Sequence, residues 1–113
     1  MSSTTSGTTE THSTPHHTDL TTFQIDLLTV TARLEASLTD VKGLAIKDNL
    51  EDLHGEAVNH GRLYPNLDDL AESGLIEKGT IDKRTNSYRV TETGFRLLAE
   101  RRDHLDVAVD GGA

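Results

Sequence analysis

The sequence predicts a mainly α fold with a β-hairpin wing, and three observations carry that expectation. Apolar residues recur at helical spacing in three successive segments between Thr21 and Gly74, each with its own start or stop signal. The pattern then changes to two short β-branched runs either side of "KRT". A last amphipathic segment follows from about Thr91 to Val109, so the order is helix, helix, helix, hairpin, helix.

Residues 1–18, "MSSTTSGTTETHSTPHHT", are almost entirely Ser, Thr, Gly and His without periodicity. Such a stretch buries too little apolar surface to offset its chain entropy, so a disordered tail is expected over 1–18. His12, His16 and His17 are metal-ligand types, but no carboxylate set or fold positions them, and a solvated tail is the expectation.

Thr21 and Gln24 form the spacing of a capping box, and Leu20 with Ile25 that of a hydrophobic staple. Phe23, Leu27, Val30 and Leu34 follow as one apolar stripe, which predicts a helix from Thr22 to Leu34 or slightly beyond. A second helix is expected over Gly43 to Leu53, with Leu44, Ile46, Leu50 and Leu53 apolar and Gly55 at its stop. The third has Asn59 as N-cap, Leu63, Leu67 and Leu70 on one face, and Gly74 at its end. "LIEKGTID" and "NSYRVT" predict the hairpin strands. In the last helix Phe95, Leu98, Leu105 and Val109 recur at heptad-like spacing, with Arg102 in the seam between them.

This order is that of a winged helix-turn-helix followed by a C-terminal dimerisation helix. The expected division is a winged helix-turn-helix DNA-binding domain over 19–91, a dimerisation helix over 92–109 and a disordered end over 110–113. Only 34% of residues are apolar and four are aromatic, so one copy buries little, and a homodimer is expected.

In such folds the third helix enters the major groove with its first turn towards the base edges, and the hairpin touches the backbone or minor groove. That turn here reads Asn59, His60, Gly61, Arg62. Arg62 is suited to bidentate contact with guanine or to phosphate, His60 and Asn59 to hydrogen bonding, and Gly61 to close approach of a phosphate at a helix N-terminus. Asn59 also has a purely structural role as N-cap, Arg62 and His60 could equally be solvated, and Asn66, further along, could reach bases or backbone. Lys83 and Arg84 at the wing tip are candidates for phosphate or minor-groove contact, as against charge kept for solubility. Tyr64 and Tyr88 could stack on bases, but their apolar neighbours favour packing. Pro65 removes a helical donor, and a tightened first turn is the expected consequence.

Charge runs against a simple nucleic-acid reading: 11 basic against 19 acidic residues give −8. Residues 1–41 hold one basic and five acidic groups, 42–102 ten and eleven, and 103–113 three aspartates, so the acid lies mainly at the ends. "KGTIDKRTNSYR" carries four basic residues against Asp82 alone, which predicts a local positive site. An Asp- and Thr-rich composition with only four lysines matches a salt-loving source. At high salt, bound cations are then expected to bridge acidic residues and phosphate at the DNA interface. No other cofactor and no small-molecule effector is expected.

The absence of cysteine excludes disulfides, thiolate metal sites and thiol redox sensing within this chain. No apolar run approaches the ~20 residues of a membrane span and no signal peptide is visible, so a cytoplasmic protein without membrane contact is expected. No Gly-rich phosphate loop, nucleophile–base set or closed ligand set is present, and catalysis is not expected.

"GRLYPNLDDLAESGLIEKG" followed by "YRVTETGFRLL" resembles the PadR family of winged-helix transcriptional regulators. The matching positions are Gly61, Leu63, Tyr64, Pro65, Leu67, Leu70, Gly74, Leu75, Ile76, Tyr88, Thr91 and Gly94, within a span from about Leu20 to Leu105. His60 stands where the family often has proline. The resemblance implies a homodimer on palindromic or semi-palindromic promoter operators, with the C-terminal helix in the interface. The acidic composition is similar to that of haloarchaeal members, which implies a stress-response role at high salt. The other reading of the same fold is a protein–protein interaction module without sequence-specific DNA binding.

Overall fold

The computed structural model describes residues 15–111. Thr21 starts α1 (Thr22–Glu35): its Oγ1 accepts the Gln24 N–H at 3.1 Å, and Gln24 Oε1 accepts the Thr21 N–H at 3.0 Å. Two otherwise unpartnered donors of the first turn are thereby satisfied. Phe23, Leu27 and Val30 are buried as the stripe predicts, but so are Ile25 and Leu28. The physical reason is position, since α1 packs against the second, third and last helices and against the hairpin. Thr31 is buried too, its hydroxyl donating to the Leu27 carbonyl at 2.7 Å.

Helix α2 (Gly43–His54) ends at Gly55, whose φ of 74° is cheap only for glycine. Ile46 and Leu50 are fully buried, whereas Leu44 and Leu53 are 59% and 53% exposed. Leu44 lies about 200° around the helix from Ile46. In the last turn the contact with α1 is made by His54, whose Nε2 lies 2.9 Å from Asp26 Oδ2, and not by Leu53.

Helix α3 (His60–Glu72) buries Leu63, Leu67 and Leu70. The chain turns at Gly74, φ 78°, where the Leu75 N–H reaches the Leu70 carbonyl at 2.9 Å. Strands β1 (Ile76–Thr80) and β2 (Asn86–Val90) pair antiparallel, from Ile76 opposite Val90 to Thr80 opposite Asn86. Ile76, Tyr88 and Val90 face the core. A third extended stretch, unforeseen in the sequence, lies beside β2: Lys42 bridges Ser87, and the Tyr88 N–H donates to the Val41 carbonyl at 2.9 Å. It ties the start of α2 to the wing.

Thr91 caps α4 (Glu92–Asp110), accepting from the Gly94 N–H at 3.0 Å and donating to the Gly74 carbonyl at 2.6 Å. Gly94 and Leu97 are the buried residues of this helix, and Leu98 packs against the core edge. Phe95, Leu105 and Val109 remain 43%, 50% and 78% exposed in the single chain.

Residues 1–14 and 112–113, with His12, lie outside the described residues. The remainder of the expected tail, 15–18, leads into a 3-10 turn, His17–Asp19. Asp19 caps it from within, accepting the His16 N–H at 2.9 Å. The His17 ring stands 3.3 Å from Arg101 Nη1 and 5.3 Å, centroid to centroid, from His104 on α4. Tertiary contact with α4 thus orders a stretch that composition alone assigns to the tail. Among the described residues no helix is long and apolar enough to cross a membrane, and no three ligand-type side chains are grouped for a metal.

Candidate nucleic-acid interface

The exposed first turn of α3 is built by its cap. Asn59 Oδ1 accepts the Gly61 N–H at 2.6 Å, and the Asn59 carbonyl takes both the Arg62 and the Leu63 N–H at 3.0 Å. The i−3 bond from Arg62 has its equal at the proline-free start of α2, where the Ala45 N–H donates to the Lys42 carbonyl at 3.1 Å, so it is an ordinary helix start and not a mark of Pro65, through which the helix passes unbroken. Proline has no N–H for the Gly61 carbonyl, but Gly61 and Pro65 are both exposed, so the missing bond falls where water can replace it. A Cβ at Gly61 would stand 2.9 Å from Asn59 Oδ1, so this glycine serves the cap as well as leaving backbone open to a ligand.

The four candidates of this turn, Asn59 to Arg62, are all exposed, but they are not equally free. Asn59 spends its oxygen on the cap. The His60 ring meets Tyr64 edge-on at 5.6 Å. The hydroxyl end of the Tyr64 ring lies against the start of α2, where a Cβ on Gly43 would stand 2.7 Å from Cε1 and Oη, so Tyr64 is packed as its apolar neighbours suggest. The Arg62 guanidinium carbon sits 3.9 Å from the Phe23 ring centroid, and Arg62 is in none of the ion pairs formed among the described residues. Asn66 is held from two sides, accepting from Gln24 Nε2 at 3.1 Å and donating to the Arg62 carbonyl at 2.8 Å.

At the wing tip, Asp82 Oδ1 accepts the N–H groups of Arg84 and Thr85 at 2.9 and 3.0 Å. The Arg84 N–H, foremost, holds the Asp82 carboxyl below its usual value, with Lys42 adding to the effect. The tip is therefore a closed turn that projects Lys83 and Arg84 into solvent. Of the four basic residues of 78–89, Lys78 pairs with Asp68 at 3.1 Å and Arg89 with Glu77 at 3.0 Å. The ion pairs formed among the described residues leave Lys83 and Arg84 out. The positive site is thus half the size that the sequence suggests.

Arg84 joins Lys42, Gly43 and Tyr64 around a cleft of about 420 Å³ between the start of α2, α3 and the wing. Sequence reasoning missed Lys42. Its signal was a lysine directly before a helix start, where a side chain borders the partial positive charge of the helix N-terminus. Lys83 does not line this cleft, and the structure places it on the tip alone.

The sequence model of the transcriptional regulator PadR-like family matches residues 34–100 of the chain. The chain belongs to the PadR-like family. Among solved structures, the complex structure of hsRosR-S1 matches at 47% identity and a TM-score of 0.73, covering 81% of this chain and 78% of the other. RosR of Halobacterium salinarum, from crystals grown from NaBr, matches at 48% identity and a TM-score of 0.71, covering 80% and 77%. A PadR family transcriptional regulator from Eggerthella lenta DSM 2243 matches at 26% identity and 0.62, covering 80% and 77%. No curated protein matches the chain. This PadR-like chain is a DNA-binding regulator of transcription with a winged-helix fold, and it resembles the haloarchaeal RosR as its acidic composition suggested.

Proposed function

We propose that the chain acts as a homodimer on palindromic promoter operators, setting two copies of α3 into major grooves about one duplex turn, roughly 34 Å, apart. Arg62 and His60 reach base edges or phosphate from the first turn of α3, Asn59 and the Gly61 backbone border them, and Lys83, Arg84 and Lys42 hold phosphate. The observation that carries this reading is the exposed first turn of α3, Asn59 to Arg62, followed by a wing tip whose Lys83 and Arg84 stay outside the ion pairs formed among the described residues. These groups position and read, and occupancy of a promoter blocks or recruits polymerase.

The dimer surface is the groove of about 550 Å³ between α1 and α4, lined by Ile25, Ala32, Leu98 and Leu105 and rimmed by Arg102 and Asp106. Phe95 and Val109 extend its apolar character along α4. The acidic composition and the resemblance to haloarchaeal members of the family support a stress-response role at high salt, in the cytoplasm. There the acidic chain approaches DNA with bound cations between carboxylates and phosphate.

Genome-wide chromatin immunoprecipitation with Arg62→Ala as control tests the reading. The expected result is sharp promoter peaks that share a palindromic motif and vanish in the variant. Absence of enrichment over background would instead favour the protein–protein interaction module, to which the acidic total also points.

A further inference from the structure

Two residues in the first turn of α1 reach across to the first two turns of α3. Buried Phe23 lies under the Arg62 guanidinium, 3.9 Å from centroid to carbon. Gln24 Nε2 donates to Asn66 Oδ1 at 3.1 Å, and Asn66 Nδ2 donates to the Arg62 carbonyl at 2.8 Å. The network itself fixes which amide atom is which. Gln24 Oε1 is taken by the Thr21 N–H at 3.0 Å, so its nitrogen faces Asn66, and Asn66 must present oxygen in return. A chain of oriented amides therefore runs from the cap of α1 to the backbone of Arg62, while the Arg62 side chain rests on the residue next to Gln24.

We propose that Phe23 and Gln24 are positioning residues for base reading by Arg62: the ring sets the path of the side chain, and the Gln24–Asn66 link sets the backbone from which it leaves. This rests on the DNA reading proposed above. A guanidinium stacks by its face, and its five N–H donors lie in its plane, so the stack leaves a bidentate contact open. Part of the rotamer freedom that a long arginine gives up on binding is already lost in the free protein, which favours association. The same network fixes the Asn66 amide, taking one lone pair of its oxygen for Gln24 and one of its two N–H donors for the Arg62 carbonyl. The Asp26–His54 contact at 2.9 Å, one turn along, joins α1 to α2, so the platform and the helix-turn-helix are held together.

The test uses the full chain in molar KCl with a pool of random duplexes as probe, for wild type, Phe23→Leu, Phe23→Tyr, Gln24→Glu and Arg62→Ala. Gln24→Glu keeps the acceptor of the capping box and removes the donor to Asn66. Phe23→Tyr should select the wild-type motif. Phe23→Leu and Gln24→Glu should lose preference at the same position of each half-site as Arg62→Ala, with about tenfold weaker binding of the selected duplex and unchanged binding of unselected duplex. In the free protein, proton NMR should show the Arg62 side-chain methylenes shifted upfield by the Phe23 ring, and Phe23→Leu should abolish the shift. An unchanged motif in Phe23→Leu would overturn the positioning role, as would equal loss of affinity for selected and unselected duplex, the mark of general damage. If the wild type enriches no motif, the DNA reading itself fails, and an upfield shift that persists would show that failure to be separate from the stack.

Discussion

Replacing Gly94 by alanine should destabilise the protein although alanine is the better helix former. The exchange gains about 1 kcal/mol of helical propensity. Against it stands a Cβ placed 2.3 Å from the Leu75 carbonyl oxygen and 2.6 Å from Val90 Cγ1, where ordinary contact begins at 3.4 Å. The nearer atom is backbone and held: Leu75 donates to the Leu70 carbonyl, and its own oxygen accepts the Thr91 N–H at 3.1 Å. The start of α4 must then retreat by about 1 Å, straining the Thr91 cap and its 2.6 Å bond to Gly74. Overpacking of this kind costs about 1–3 kcal/mol, and a weakened cap about 1 kcal/mol. The net loss is about 2 kcal/mol, or a Tm lower by about 8–16 °C for a domain of this size. Circular-dichroism melts of both full chains in molar KCl, at matched concentration, measure it. A variant Tm equal to or above that of the wild type would refute the close-approach reasoning, because propensity alone would then decide.

Leu98→Asp or Leu105→Asp should give monomers in molar salt with much weaker operator binding, read by light scattering and fluorescence anisotropy; unchanged mass for both variants would remove α4 as the dimer seam. Lys42→Ala should weaken binding similarly across sequences and lower the salt slope by about one, measured below molar KCl; an unchanged slope would take Lys42 off the phosphate. Affinity across the molar range should fall little or rise, whereas the steep monotonic decline of an ordinary basic DNA binder would exclude bridging cations. Glu51 accepts the Val58 N–H at 2.8 Å and pairs with Lys47 at 2.9 Å, and these bonds, the backbone one foremost, lower its pKa from 4.5. A depressed carboxyl stabilises the fold above its unfolded value and loses that contribution as pH falls through the folded one. Glu51→Gln should therefore lower Tm at pH 7 and flatten the decline of Tm below about pH 4.5; parallel curves for the two proteins would count against it.

The elements most legible in the sequence were those whose determinants lie within one helical turn. The Thr21–Gln24 box, the Asn59 cap and the stops at Gly55 and Gly74 each join groups no more than five residues apart, so spacing alone predicts the bond. The exposed first turn of α3 and the charged wing tip were legible for the same reason. Leu44 and Leu53 were misjudged because apolar character at roughly helical spacing does not say where the partner surface ends. His17 and its neighbours were assigned to a tail because composition shows only a short local cap from Asp19; the contacts of His17 with Arg101 and His104 lie far along the chain.

The sequence by itself determined the order of elements, their caps and the family, because local hydrogen bonding and apolar period act over a few residues. Only the tertiary structure decided which candidates keep free polar edges. It alone placed Phe23 beneath Arg62, set Gln24 against Asn66, neutralised Lys78 and Arg89 with Asp68 and Glu77, and brought Lys42 to the wing. These contacts depend on how helices and hairpin pack around α1. Packing joins residues distant in the chain, and no spacing rule reaches that far.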